Sequence, residues 1–330
     1  MKLTVIGDGG WGTALALTLA RNGHSVAIWG PDAAYLEEVS RTRRNPRFLP
    51  DVPLDGDLRW AADPAEVLAG TQAVVFVVPS KFAAATLRRF LPAYEAAGRP
   101  PVLNATKGFD EATLKRTSES IRDIWAVPAP AVLSGPSLAG ETARGVPTAV
   151  TIACDDPAIA AFFQPLFNSA AFRTYTSADV AGVELGGALK NVIALAAGIC
   201  DGLGFGHNAK CALVTRGLAE ISRLGAALGA RPETFAGLSG IGDLMVTCFS
   251  ATSRNHTVGE RLGKGESLEA ILGGMVQVAE GVCTCASALT LARRYGVSVP
   301  IIEQIDAILH HGQSPADAVT ALMTRPPRPE

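Results

Sequence analysis

The chain has 330 residues, 48% hydrophobic and 18% charged, with 29 basic and 31 acidic side chains for a formal charge of -2 at pH 7. That length exceeds what one hydrophobic core usually spans, so two domains are expected, and the apolar share excludes a disordered chain. The balanced charge provides no field to hold a polyanion, which excludes nucleic acid as a partner.

In chain order, residues 3–7 form an apolar run too short for a signal segment or membrane span, so a cytoplasmic protein without membrane insertion is expected. Similar runs recur at 25–29, 73–78, 102–106, 131–134 and 149–153. They are continuous rather than alternating, as in strands covered on both faces. Between them lie stretches of helical length and composition at 11–22, 33–43, 81–90 and 156–167. Such alternation predicts a parallel, doubly wound α/β sheet. After a last strand at 172–176 the texture changes to Ala-, Leu- and Gly-rich helices at 180–200, 209–228, 257–262, 278–295, 301–310 and 316–323. A dinucleotide-binding domain at 1–179 and an all-helical substrate domain at 180–330 are therefore expected. The tail at 325–330 carries three prolines and is expected to fray.

Six cysteines, Cys154, Cys200, Cys211, Cys248, Cys283 and Cys285, lack disulfide or zinc spacing, so reduced and mostly buried thiols and no metal site are expected. His310 and His311 read as helix-end residues. His207 lies in a glycine-rich loop and receives no role.

Val5-Ile6-Gly7-Asp8-Gly9-Gly10-Trp11-Gly12 places a G-x-G-x-x-G directly after a strand and at the start of a helix. Gly7 permits the tight turn, Gly9 the approach of a diphosphate to the backbone, and Gly12 the close packing of helix on strand. The helix N-terminus then holds the diphosphate, which gives a Rossmann-type first domain. Past the second strand, Asp32 either binds the adenine ribose of NAD or caps the next helix. No Arg follows Trp29 directly to receive the 2′-phosphate of NADP, which leans the cofactor toward NAD, although Arg41, Arg43 and Arg44 lie downstream.

In the second half, Lys190 and Asn191 stand within a helix otherwise made of small and apolar residues. Burial lowers a lysine's pKa toward neutrality, as a base for an alcohol proton requires; the alternative is a side chain that snorkels to the surface. Lys107, just past a strand's carboxyl end, is a second candidate, at the edge where open α/β sheets collect ligands. Gly240-Ile241-Gly242-Asp243-Leu244 precedes Ser253-Arg254-Asn255-His256-Thr257, where Arg254 offers a fork of donors for a phosphate and Ser253 and Asn255 add hydrogen bonds, or Ser253 is a plain helix cap.

Taken together, these motifs resemble the bacterial-type NAD(P)-dependent glycerol-3-phosphate dehydrogenases, nearly end to end. The resemblance is carried by Gly7-Asp8-Gly9-Gly10-Trp11-Gly12, Asn104-Ala105-Thr106-Lys107-Gly108, Ser134-Gly135-Pro136-Ser137-Leu138-Ala139 and Gly187-Ala188-Leu189-Lys190-Asn191. It continues through Gly202-Leu203-Gly204-Phe205-Gly206, Thr215-Arg216-Gly217-Leu218-Ala219-Glu220, Gly240-Ile241-Gly242-Asp243-Leu244, Ser253-Arg254-Asn255 and Glu280-Gly281-Val282. It implies that Lys190 accepts the proton and that Lys107, Gly135, Ser137, Asp243, Ser253, Arg254 and Asn255 surround glycerol 3-phosphate. It also implies that Gly10, Trp11, Lys107, Ala139, Arg254, Val278 and Glu280 touch NAD or NADP. A homodimer that supplies glycerol 3-phosphate for phospholipid synthesis is implied as well.

The chain departs from the family at Pro31, where Arg or His is common, and at Asp8, where a small uncharged residue is usual and whose side chain is expected to turn away from the diphosphate. His207 and Cys211 are further departures. A 3-hydroxyacid or 6-phosphogluconate-type dehydrogenase shares the domain order and a helix-borne lysine, but Arg254 with Ser253 suits a phosphate ester better than a bare carboxylate. A non-catalytic nucleotide sensor would have lost the lysine base, which this chain keeps.

Overall fold

The computed structural model describes residues 1–275 and 279–327. The chain divides into two compact units, Met1–Glu184 and Leu185–Glu330. The first begins β1 (Lys2–Ile6), α1 (Gly10–Arg21), β2 (Ser25–Trp29), α2 (Ala33–Thr42), β3 (Arg44–Asn45), β4 (Leu49–Pro53), β5 (Leu58–Ala61), α3 (Pro64–Leu68) and β6 (Ala73–Phe76). It continues with α4 (Ser80–Ala96), β7 (Val102–Asn104), α5 (Thr117–Trp125), β8 (Ala131–Ser134), α6 (Ala139–Ala143), β9 (Thr148–Ala153), α7 (Pro157–Phe167) and β10 (Phe172–Ser177).

Eight strands form one sheet in the order β10-β9-β8-β7-β6-β1-β2-β5, and β3 pairs with β4 separately. From β5 to β8 every pairing is parallel, and the strand order reverses between β1 and β6, the kind of switch point where doubly wound sheets bind ligands. The expectation of a wholly parallel sheet needs correction, because β9 runs antiparallel to β8 and β10 follows β9. The cause is the connection: α6 has five residues, about 8 Å of helix at 1.5 Å per residue, too short to carry the chain back along the sheet.

The continuous apolar runs are explained by burial on both faces. Leu3, Val5, Val75, Leu103 and Leu133 pack with Leu15 and Leu19 of α1 in one cluster. Ile6, Trp29, Val74, Phe76 and Val102 pack on the other face with Leu87, Phe90, Ile121 and Trp125. There Tyr94 stacks on Trp125 at 4.2 Å between ring centroids. The sequence pattern did not reveal β3, β4, β5, α3 or α5, which are short, and the three strands are partly exposed with little apolar run to mark them.

The second unit contains only helical elements among its described residues. They are α8 (Val180–Gly202), which starts in the first unit, α9 (His207–Ala227), a 3₁₀ turn at Pro232–Ala236, a π turn at Leu238–Gly242, α10 (Asp243–Phe249) and α11 (Arg254–Gly263). They are followed by α12 (Leu268–Gly273), α13 (Glu280–Tyr295), α14 (Pro300–His310) and α15 (Pro315–Met323). Of the described helices, only α8 is long and apolar enough to cross a membrane, and its most apolar window is wholly buried in the protein.

Small residues let α8 and α11 touch backbone to backbone. A Cβ on Gly198 would lie 2.0 Å from the His256 carbonyl oxygen, and one on Gly259 2.0 Å from that of Leu195. Gly202 and Gly263 meet in the same way one turn on. Of the six cysteines, Cys211 is exposed, Cys283 half-buried and the other four buried.

Candidate active site

The loop after β1 is shaped by steric need. Gly7 has φ +130°, and a Cβ there would meet the Val77 carbonyl oxygen at 2.6 Å, so only glycine fits. A Cβ on Gly12 would lie 2.0 Å from the Gly7 carbonyl oxygen, and one on Gly10 2.7 Å from that of Phe48, with the Ala139 methyl at 3.6 Å. Gly9 differs: it is the N-cap of α1, makes no side-chain cap, and would present a Cβ to open space. The first turn of α1 therefore offers uncapped N–H groups and no acidic residue beside an open approach, which fits a diphosphate. The indole N–H of Trp11 is buried without a hydrogen-bond partner among the described residues.

Gly7, Lys107 and Gly135 follow β1, β7 and β8, so they share the carboxyl edge of the parallel strands. The Lys107 loop is anchored on both sides. Thr106 donates its hydroxyl to the Val78 carbonyl at 2.7 Å, and the Asn104 amide donates to Glu184 at 2.9 Å. Glu184 also accepts from the Ser118 N–H at 2.9 Å, at the start of α5, and pairs with Arg116 at 3.1 Å. Burial pushes its pKa up, against the pull of Arg116 and Ser118. Ser137 donates its hydroxyl to the Gly135 carbonyl at 2.8 Å.

Asp32 caps α2, one of its two readings. It accepts from the Tyr35 N–H at 3.0 Å, and its other oxygen pairs with Arg47 at 2.9 Å. Arg43 donates to the Gly56 and Leu58 carbonyls, at the far end of the β4 to β5 link.

In the second unit, Lys190 is 6% exposed and does not snorkel. Its ammonium donates to Asp243 and to the Thr247 hydroxyl, and both partners are buried. The amine thus lies in the protein beside a carboxylate and a hydroxyl. Asp243 and Thr247 stand four residues apart on α10, one helical turn, and Thr247 also donates to the Asp243 carbonyl at 2.6 Å. Sequence reasoning missed Thr247 because α10 was not recognised; the i, i+4 spacing is the signal that would have found it.

Ser253 caps α11 by accepting from the His256 N–H at 3.3 Å, and the exposed Arg254 opens that helix. Asn255 joins three segments: its amide donates to Asn191 at 3.0 Å and its oxygen accepts from the Gly281 N–H at 2.9 Å. Glu280 is the first residue of α13, and Val278 lies outside the described residues. Asp201, which sequence reasoning also missed, holds Lys210 at 2.6 Å and His256 at 2.7 Å.

A family profile described as NAD-dependent glycerol-3-phosphate dehydrogenase N-terminus matches residues 2–160, and its C-terminus counterpart matches 179–320. The chain is 48% identical to a glycerol-3-phosphate dehydrogenase [NAD(P)+] of Nitratidesulfovibrio vulgaris over 332 residues, covering 100% of both chains. It is 48% identical to the Geobacter sulfurreducens protein of the same name, covering 98% of this chain and 97% of that one. The crystal structure of glycerol-3-phosphate dehydrogenase from Coxiella burnetii superposes with a TM-score of 0.94 at 35% identity, covering 98% of this chain and 99% of that chain.

Proposed function

The chain belongs to the NAD-dependent glycerol-3-phosphate dehydrogenase family, and on that premise we propose that Lys190 moves the proton as sn-glycerol 3-phosphate and dihydroxyacetone phosphate are interconverted with NAD or NADP. The observation that carries this role is the burial of the Lys190 ammonium between Asp243 and Thr247. Neutral at the moment of reaction, Lys190 takes the proton of the C2 hydroxyl; in reduction it returns that proton to the developing alkoxide. Asp243 and Thr247 fix its Nζ, so the proton moves to and from one place. The bound nicotinamide supplies the acceptor or donor of the C2 hydride.

We assign the remaining residues by their chemistry. Lys107 stabilises negative charge on the C2 oxygen, and Arg254 clamps the phosphate as a planar fork of donors. Gly135, Ser137, Ser253 and Asn255 complete the substrate's surroundings, the last two by shaping the backbone at the start of α11. Gly7, Gly9, Gly10, Trp11 and Gly12 take the dinucleotide, with Ala139, Asp32, Val278 and Glu280 assigned to the same ligand. A cytoplasmic homodimer feeding phospholipid synthesis completes the proposal; sedimentation that returns a monomer removes the dimer from it.

The test is reduction of dihydroxyacetone phosphate followed by nicotinamide absorbance. Lys190→Ala is expected to lower kcat by about 10²–10⁴-fold, the usual contribution of a general acid or base, while NADH still binds. Turnover within a few-fold of the unmodified protein would remove Lys190 from the proton's path.

A further inference from the structure

The second strand ends at Trp29 and is followed by Gly30 and Pro31, so no acidic side chain stands directly at the strand's end, where such folds carry the group that binds the adenosine ribose. The space is nevertheless filled. A Cβ on Gly30 would lie 2.5 Å from both Cγ and Oδ2 of Asp8 and 3.0 Å from its Cβ. The Asp8 carboxyl, launched from the glycine loop, rests where a side chain of residue 30 would begin.

We propose that Asp8 selects NAD(H) over NADP(H), by presenting a carboxylate to the adenosine ribose hydroxyls and repelling a phosphate on them. The inference rests on the reading of the glycine loop as the dinucleotide site. Three observations carry it. The backbone under Asp8 is fixed, because its carbonyl accepts from Thr13 at 3.1 Å and from the Asn45 amide at 2.8 Å. Among the described residues no side chain donates to its carboxyl, so acceptor capacity remains for hydroxyl groups.

The third observation is the surrounding charge. The charged groups that face Asp8 are Asp32, at the start of α2, and Arg47, in the turn between β3 and β4. Asp32 already holds Arg47, whose guanidinium also lies over the Tyr35 ring at 4.0 Å, and Arg43 is engaged by backbone carbonyls. Two carboxylates therefore face one engaged guanidinium, and a phosphate brought there meets net negative charge. Burial and Asp32 push the Asp8 carboxyl up to about 6, so it is ionised at neutral pH and above.

The experiment is a fluorescence titration of NADH and of NADPH at pH 7.5, on the unmodified protein and on Asp8→Asn and Asp8→Ala. The unmodified protein is expected to bind NADH more tightly. Asn fills nearly the same space without the charge, and it should narrow the ratio of the two Kd values by roughly tenfold or more, chiefly through tighter NADPH binding. Asp8→Ala should do the same. A ratio unchanged in a folded variant, or an unmodified protein that prefers NADPH, overturns the inference. An unmodified protein that binds neither cofactor overturns the reading of the glycine loop instead, so the two failures are distinct.

Discussion

Gly9 in the first unit and the glycines of the α8–α11 contact in the second have opposite surroundings. At the start of α1, Gly9 faces open space, and a side chain there would meet no protein atom within 4 Å. Where α8 meets α11, Gly198 and Gly259 face carbonyl oxygens that a Cβ would approach to 2.0 Å. The space before Gly9 is clear of protein, whereas Gly198 and Gly259 let two helices touch. A motif search sees the same letter in both places; what a methyl group would meet tells them apart.

The largest effect that tests this contrast falls on the helix contact. Helix propensity favours Ala over Gly by about 1 kcal/mol, so Gly198→Ala or Gly259→Ala would stabilise an unpacked helix. Against a carbonyl at 2.0 Å the clash is expected to win, leaving each variant destabilised by about 3 kcal/mol in denaturant unfolding. An unchanged midpoint would mean that the helices separate easily and that the contrast fails.

Next in size is Glu220, which also joins helices in the second unit. From α9 it accepts from the N–H groups of Ile301, at 2.9 Å and 3.0 Å, and Ile302, at 3.3 Å, at the start of α14. Burial pushes its carboxyl up to about 7, against the pull of those N–H groups. A carboxyl whose folded pKa is raised favours the folded state most while both states hold the proton. Its contribution is present below the unfolded value near 4.5 and is lost as pH rises through about 7. The stability of the unmodified protein relative to Glu220→Gln should therefore fall by up to about 3 kcal/mol across that window. A difference independent of pH would show that the carboxyl does not titrate there.

The smallest effect belongs to the open glycine. Gly9→Ala has ordinary backbone angles and an unobstructed Cβ, so stability should stay within about 0.5 kcal/mol. Binding of NADH should nonetheless weaken roughly tenfold, because the methyl occupies the approach to the α1 N-terminus. A loss of stability with intact binding would reverse the contrast between the units.

Local pattern accounts for what could be read before the fold was known. Strands covered on both faces betray themselves as apolar runs, and the glycine loop, the helix-borne Lys190 and the Arg254 segment are each contiguous in sequence. Contacts that join distant segments left no such mark. Asp243 and Thr247 reach Lys190 from more than fifty residues away, and Asn255 ties α8 to α13 through Asn191 and Gly281. The reversal of β9 depends on the length of α6, a property of the connection rather than of the strand. The contact between Asp8 and Gly30 joins two residues that looked unrelated: an oddly charged loop position and a strand end without an acid.

The continuous α8 has a consequence for the chain while it is being made. Its 23 residues match a membrane span in length and hydropathy, and one of the helices that cover it, α11, ends about sixty residues later. At the usual ~5–20 residues per second of synthesis, this interval leaves α8 without that cover for roughly 3–12 s after it is complete. A chain arrested before residue 254 lacks α11 altogether and leaves part of a membrane-like stretch without its partner, the kind of surface that chaperones and insertion machinery bind. The glycine contact between α8 and α11 thus bears on the fate of the nascent protein as well as on the stability of the finished one.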